Sequence, residues 1–355
     1  MNSWLGLGVS GLVKIKVGIL TAPHIKFEQR EKTFVLKNVR IGIGFHWDRY
    51  EDQEFAGELE IKPTPNPSLK GGEPWEVAIN TIDLEDYLCS VISSEMSANS
   101  PMELLKAHSV ISRSWAIRAM EHPNHEGFHV CADDHCQRYE GLRRINERAV
   151  EAVRATKGQV LMYDNTICDC RYYKCCGGRT EIWRTCWEDI DVPYIQSVPC
   201  DWCKSPSPQV LRLVLNDYDQ ETKDFRDWKV TYTADELSEI IRTKSGIDFG
   251  EIIGLIPLKR GASGRIYELK IVGTKRTEII GKELKIRLWL SKSCLYSSWF
   301  EVEHENGVWT LIGHGWGHGA GLCQIGAAVM ASEGKTYEEI LQYYYHGARL
   351  GVAAQ

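Results

Sequence analysis

The sequence predicts an α+β protein in which a pair of helices packs with β-rich segments. Three observations carry that reading. Apolar residues alternate, or run in short β-branched stretches, near the N-terminus: VKIKVGIL and FVLKNVRIGIGF. From Leu84 to Ile92 they recur at spacings of three and four, the period of a helix with one buried stripe. The chain has 355 residues, 43% hydrophobic and 25% charged, which is enough to bury a core and leaves room for about two domains.

Taken in order, residues 13 to 46 read as short strands. The stretch PTPNPSLKGGEP, residues 63 to 74, is rich in breakers and reads as a loop. The next helix carries Leu84, Tyr87, Leu88, Val91 and Ile92, and the turn from Ser97 to Pro101 stops it. Ser100 as N-cap, Pro101 behind it and Glu103 three residues on would form a capping box that opens a second helix, running to about Met120. HPNHEG ends that helix. A third, charged helix spans residues 143 to 157 and closes at Gly158; VLMY and CRYYKC then read as strands. Residues 205 to 310 mix strands with one helix near Ala234 to Ser245. The Gly-rich HGWGHGAG follows, then a helix from about Leu322 to Ser332 and another opened by Thr336 with Glu339. Three segments result: a β-rich one at 1–75, a helical one at 76–204, and a β-rich one at 205–355 that ends in two helices.

Charge and composition exclude several classes. Lys plus Arg is 42 against 48 for Asp plus Glu, a net charge of −6, which argues against nucleic acid as partner. No run of about 18 apolar residues provides a membrane span. The N-terminus lacks a basic start and an A-x-A-like site, so it does not read as an export signal. Twelve Cys are too dilute for a disulfide-built scaffold, but most fall between Cys131 and Cys203, which suggests metal binding or local disulfides.

Five places could carry chemistry. Glu95, in SSEM, sits at the end of the first helix. The negative end of a helix dipole and partial burial both favour a protonated carboxyl, the form a general acid needs; the alternative is a solvated surface Glu. Lys106 and Arg113 are seven apart on the second helix and share a polar face with Ser109, suited to an anion or simply to water. The opposite stripe, Leu104, Ala107, His108, Ile111 and Trp115, would pack inward. In HVCADDHCQRYEG, the residues Cys131, His135 and Cys136 are three zinc-type ligands; Cys175 and Cys176, or His129, could complete a tetrahedron, with disulfides or plain thiols as alternatives. Cys200 and Cys203 read as a spare zinc half-site or a disulfide. His314 and His318 lie in GHGWGHGAG, where five glycines in nine residues preclude a helix and allow close backbone approach or positive φ, in a ligand site or a tight buried turn.

Together and in this order, LEDYLCSVISSEM, PMELLKAHSVISRSWAIRA, CQRYEG, CCGGRTEIWRTCW, PYIQSV, SGRIYELKIVGT, SSWF and the final GHGWGHGAGLCQIGAAVMASEGKTYEEILQYYYHG resemble the SpoIID/LytB family, stage II sporulation protein D and its relatives. The resemblance covers about residues 82 to 347. It implies a lytic transglycosylase of peptidoglycan that cuts between N-acetylmuramic acid and N-acetylglucosamine, leaves a 1,6-anhydro end, and acts in the cell envelope on glycan strands, denuded ones included. It places the catalytic carboxylate at Glu95, on the helical pair at one wall of an open cleft for a glycan strand. Substrate contacts would come from Lys106, Arg113, Tyr139, Gly177, Gly178, His314, His318 and Gln324. It also implies a zinc held by a cluster resembling Cys131, His135 and Cys136, which a closed set of Cys ligands would make structural, with Cys175 and Cys176 the expected further ligands. CCGG stands where many members carry a Ser before the Gly pair. Some relatives instead enhance an N-acetylmuramoyl-L-alanine amidase without cutting, which makes a cell-wall amidase the alternative partner.

Overall fold

The structure, a computed structural model, describes residues 13–44, 48–64, 75–133, 135–204, 206–215 and 225–353. Most of the loop expected at 63–74 lies outside them. The first strands are β1 (Lys14–Ala22), β2 (Phe27–Gln29), β3 (Thr33–Ile41), β4 (Arg49–Ala56), β5 (Glu58–Thr64) and β6 (Trp75–Asp83). Helices α1 (Leu84–Glu95) and α2 (Met102–Glu121) follow, then β7 (Val130–Cys131), α3 (Glu147–Ala155), β8 (Gln159–Tyr163), β9 (Thr166–Ile167) and β10 (Tyr172–Tyr173). Next come α4 (Trp183–Cys186), a 3₁₀ turn at Asp201–Cys203, α5 (Pro208–Val214), β11 (Asp227–Thr233), α6 (Ala234–Ser245), β12 (Ile252–Arg260), β13 (Ile266–Gly273), β14 (Thr277–Ile280) and α7 (Glu283–Trp289). The chain continues through β15 (Phe300–Glu305), β16 (Val308–His314), β17 (Leu322–Cys323), α8 (Gln324–Ser332), α9 (Tyr337–Tyr344) and β18 (Arg349–Val352). The protein is therefore α+β. No helix among the described residues is long and apolar enough to cross a membrane.

The chain forms two compact units. The first takes the residues up to Cys170, Leu215 and the stretch from Ala348 on; the second takes the rest, from Arg171 to Gly347. The division thus falls inside the segment 76–204, and the N-terminal strands join the helical pair in one unit.

In the first unit, β6 pairs antiparallel with β1 and β5, and β7 adds parallel to β1. β6 runs straight into α1, because the Asp83 carboxylate caps the helix by accepting from the amides of Glu85 and Asp86. The expected cap of α2 is not made. Pro101 is the N-cap, without a side-chain hydrogen bond, and the Ser100 carbonyl accepts from Arg148. Glu103 pairs with Lys106 at 2.8 Å. The helix α2 is also not half-solvated. From Leu104 to Ile117 all but Lys106 are buried, Ser109, Ser112 and Ser114 included. The serines can lie there because Ser109 and Ser114 return their hydroxyls to the carbonyls four residues back. His108 is the core histidine expected of it, against Ser112.

Arg113 ties this unit together. It is 1% exposed. Its Nε and Nη2 donate to the two Glu85 oxygens at 2.8 and 2.7 Å, and Nη1 donates to the Gln159 carbonyl at 3.0 Å. Longer bonds reach Ser109 O and Val153 O. One guanidinium thus joins α1, α2, α3 and β8.

The second unit has its own apolar core. Trp228, Leu237, Ile241, Phe249, Leu269 and Phe300 belong to it. Its main sheets are β11-β16-β15 and β12-β13-β14. Helix α6 lies where the sequence placed it, with a complete capping box between Thr233 and Glu236; Thr336 and Glu339 make another on α9.

Removing one member of a buried ion pair strands the other. Arg113→Ala should destabilise the protein by about 3 kcal/mol in denaturant unfolding, and Arg113→Lys, which cannot make the two-pronged contact, by a smaller but clear amount.

Candidate functional site

Glu95 is the last residue of α1 and is 8% exposed, so it is not a solvated surface carboxylate. Its Oε1 accepts the backbone N–H of Arg138 at 3.1 Å. That bond belongs to a seam. Ser90 Oγ donates to the Gly141 carbonyl, the Glu140 amide donates to Ser94 Oγ, and the Asn146 amide donates to Ser93 Oγ. Gln137 is fully buried, accepts from Tyr87 Oη and donates to the Ser112 carbonyl. The serines around Glu95 therefore stitch residues 137–146 along α1, and the amide of this segment orients the carboxyl group. Glu140 is buried as well and pairs with Arg144.

Two expected substrate contacts are turned inward. Arg113 does not share a solvent-facing surface with Lys106, because its donors are committed to Glu85 and to backbone carbonyls. Tyr139 is 2% exposed, donates its hydroxyl to Asn80 Oδ1 at 2.7 Å, and packs against Phe55 and Tyr87. Lys106 stays partly exposed beside Glu103.

The Cys/His cluster forms, but with a different fourth member. Cys131, His135 and Cys136 meet His125, and the four ligand atoms all lie within 4.8 Å of one another. His125 Nε2 is 3.2 Å from Cys136 Sγ; His135 Nδ1 is 3.5 Å from Cys136 Sγ and 3.8 Å from Cys131 Sγ. Cys175 and Cys176 are not there: they lie in the second unit. His129 is not a ligand either, because its Nδ1 accepts the Lys16 amide on β1. Pairing of β7 with β1 fixes Cys131. Its thiol is held well below the ordinary value by hydrogen bonds from Cys136 and His135. None of the twelve cysteines is in a disulfide. The signal that marks His125 in the sequence is its place in the loop just past α2, six residues before Cys131.

The remaining site candidates lie in the second unit. Gly315, Gly317, Gly319 and Gly321 all take positive φ, so the Gly-rich motif is a left-handed zigzag and not a helical histidine pair. Its residue Trp316 exchanges backbone hydrogen bonds with Cys175, next to Gly177 and Gly178. His314 pairs with Asp227 at 2.7 Å and is partly exposed. His318 Nε2 lies 3.0 Å from the Tyr172 carbonyl, and its Nδ1 accepts from the Ala320 amide. Burial, with Arg171, Arg287 and Arg265 nearby, pushes its imidazole well below the usual value, so it is neutral and holds the turn. Gln324 is buried at the start of α8. Sequence reasoning passed over a buried network here. Glu181 accepts from the amides of Ile182, Ala262 and Ser263 and from Ser263 Oγ, while Arg265 donates to the Gly317 and Cys176 carbonyls.

The seam gives a direct test. Ser94→Ala leaves the buried Glu140 amide without its acceptor and should cost about 1–3 kcal/mol in urea unfolding.

A family model described as Stage II sporulation protein matches residues 75–163, which contain β6, α1, α2, α3 and the Cys/His cluster. A second, described as Domain of unknown function (DUF8618), matches residues 181–321. The chain is 28% identical over 317 residues to the Stage II sporulation protein D of Bacillus subtilis (strain 168), across 84% of this chain and 82% of that one. It is 27% identical over 293 residues to the protein of the same name from Bacillus amyloliquefaciens, across 78% and 76%. It is also 27% identical over 295 residues to the Amidase enhancer of Bacillus subtilis (strain 168), across 74% of this chain and 40% of that protein. By these matches, residues 75–163 carry the domain of the Stage II sporulation protein family, and the chain is similar to Stage II sporulation protein D over most of its length.

Proposed function

We propose that the protein is a peptidoglycan lytic transglycosylase that works outside the cytoplasmic membrane, with Glu95 as both general acid and general base. The observation that carries this reading is the Glu95 carboxyl group itself, nearly buried at the end of α1 and oriented by the Arg138 amide. A glycosidase that hydrolyses its substrate needs two carboxylates. A lytic transglycosylase needs one, because the nucleophile is the sugar's own 6-hydroxyl, held at high effective concentration by its covalent attachment. Glu95 gives its proton to the departing glycosidic oxygen as the bond to C1 breaks. The 6-hydroxyl oxygen then bonds to C1, and its proton returns to Glu95, which restores the starting state. Lys106 is the cation we assign to the lactyl carboxylate or to sugar oxygens. Gly177, Gly178 and His314 remain proposed substrate contacts, whereas Gln324, 1% exposed, is buried in the second unit. Arg113 and Tyr139 act from beneath, by holding α1, α2 and the segment after Cys136.

Zinc suits His125, Cys131, His135 and Cys136, since a tetrahedral site with two sulfur and two nitrogen ligands places S and N about 3.6 Å apart. Bound there, it would supply structure, anchoring the segment that continues through Gln137 to the Arg138 amide. A second reading rests on the 27% identity to the Amidase enhancer: a wall-binding partner of an amidase that does not cut.

Denuded glycan strands incubated with the protein and analysed by mass spectrometry separate the two readings. The parent should release 1,6-anhydro ends, and Glu95→Gln should slow that release by about 10²–10⁴-fold with strand binding kept. Binding with no new ends from the parent would favour the enhancer. His125→Ala should remove one equivalent of zinc. Metal ligands must be unprotonated, so acidification should release zinc from this site and raising the pH should restore it.

A further inference from the structure

We infer that the second unit binds a metal ion of its own, a zinc held by Cys176, Cys200, Cys203 and Cys323. These four are all fully buried, and their sulfur atoms all lie within 4.8 Å of one another. They come from three separate places in the chain: the turn before Gly177, the 3₁₀ turn Asp201–Cys203, and the N-cap of α8.

The surroundings are built for thiolates. The Cys176 amide donates to Cys323 Sγ at 3.3 Å, the Gly178 amide to Cys176 Sγ at 3.4 Å, and the Gly326 amide to Cys323 Sγ at 3.4 Å. Tyr344 Oη lies 3.3 Å from Cys200 Sγ. Cys323 also sits at the positive end of α8, which favours negative charge. Amides aimed at sulfur are the outer-shell contacts that tune a thiolate metal site. Gly326 has to be glycine here: a Cβ would stand 2.8 Å from Cys200 Sγ.

The spacing also selects the kind of metal centre. Four thiolates around a single zinc at Zn–S of about 2.3 Å stand about 3.8 Å apart. Thiolates around a cubane iron–sulfur cluster stand about 6 Å apart, farther than any pair here. Cys176 and Cys203 are 3.0 Å apart, longer than the roughly 2.05 Å of a disulfide. Local need agrees with a staple. The strands that bring Tyr172–Tyr173 and Leu322–Cys323 together have two residues each. The Gly-rich turn leans on the same backbone, since a Cβ on Gly315 would meet the Cys175 carbonyl at 2.8 Å. The ion would therefore fix the turn that carries His314 and His318.

Elemental analysis of the purified full chain tests this inference. We expect two zinc per chain, one after Cys203→Ser or Cys323→Ser, one after Cys131→Ser, and none when Cys131→Ser and Cys203→Ser are combined. Should the serine variants fail to fold, cobalt exchange into the parent decides. A four-thiolate cobalt spectrum must appear on top of the two-thiolate, two-imidazole one. A zinc content unchanged by Cys203→Ser and Cys323→Ser, no zinc at all in the parent, a Cys200–Cys203 disulfide in alkylated peptide maps, or iron with acid-labile sulfide would each overturn the inference. None of these readouts depends on glycan cleavage, so the assignment stands or falls apart from the proposed reaction.

Discussion

The hydrogen bond from the Arg138 amide to the Glu95 carboxyl is the contact on which the chemistry proposed for the first unit depends. A carboxyl group at a helix end has rotational freedom unless something removes it. Here a backbone amide does so, and a backbone amide is only as well placed as its chain. Ser90, Ser93, Ser94 and Gln137 hold that chain, and each answers a buried polar group on one side with one on the other. A half-satisfied version would be costly, so the seam is made whole or not at all.

Arg113 shows the same rule at a larger scale. A fully buried guanidinium is tolerated because carboxylate and carbonyl oxygens surround it. In return it locks the helix that ends in Glu95 to the elements behind it. The catalytic proposal thus rests on residues that never reach substrate, and the polar interior of α2, with its three buried serines and Arg113, belongs to the site's foundation.

The sequence made the longer helices visible through period and caps, and Glu95 through its motif. But α4, α5 and α7, of four to seven residues, are too short to show a period, and the described part of residues 205–310 holds three helices where one was expected. Lys106 and Arg113 show where such reasoning stops. A spacing of seven puts two side chains on one helix face, but it does not say whether that face meets water or protein. Tyr139 went the same way: its motif was clear, and its burial depended on Asn80, Phe55 and Tyr87, which are remote in sequence. The cysteines do gather into clusters that could hold a metal, but their residue types do not say which of them meet. Cys176 joined the wrong cluster because Cys200, Cys203 and Cys323 converge only in three dimensions, and His125 went unnoticed in a loop read as a helix terminator. Ser100 failed as a cap where Thr336 succeeded. Its carbonyl meets Arg148, a partner no local pattern announces.

The strand β18 pairs with β8, so it completes a sheet of the first unit, although it follows the second unit in the chain. Synthesis on the ribosome proceeds from the N-terminus, and β8 must wait with one edge open until everything from Arg171 to Gly347 has been made. The nascent protein carries an unpaired strand edge for all that time, which is the state in which chains stick to one another. The unit that begins first is finished last, and the unit made in between has to fold while its neighbour is still incomplete.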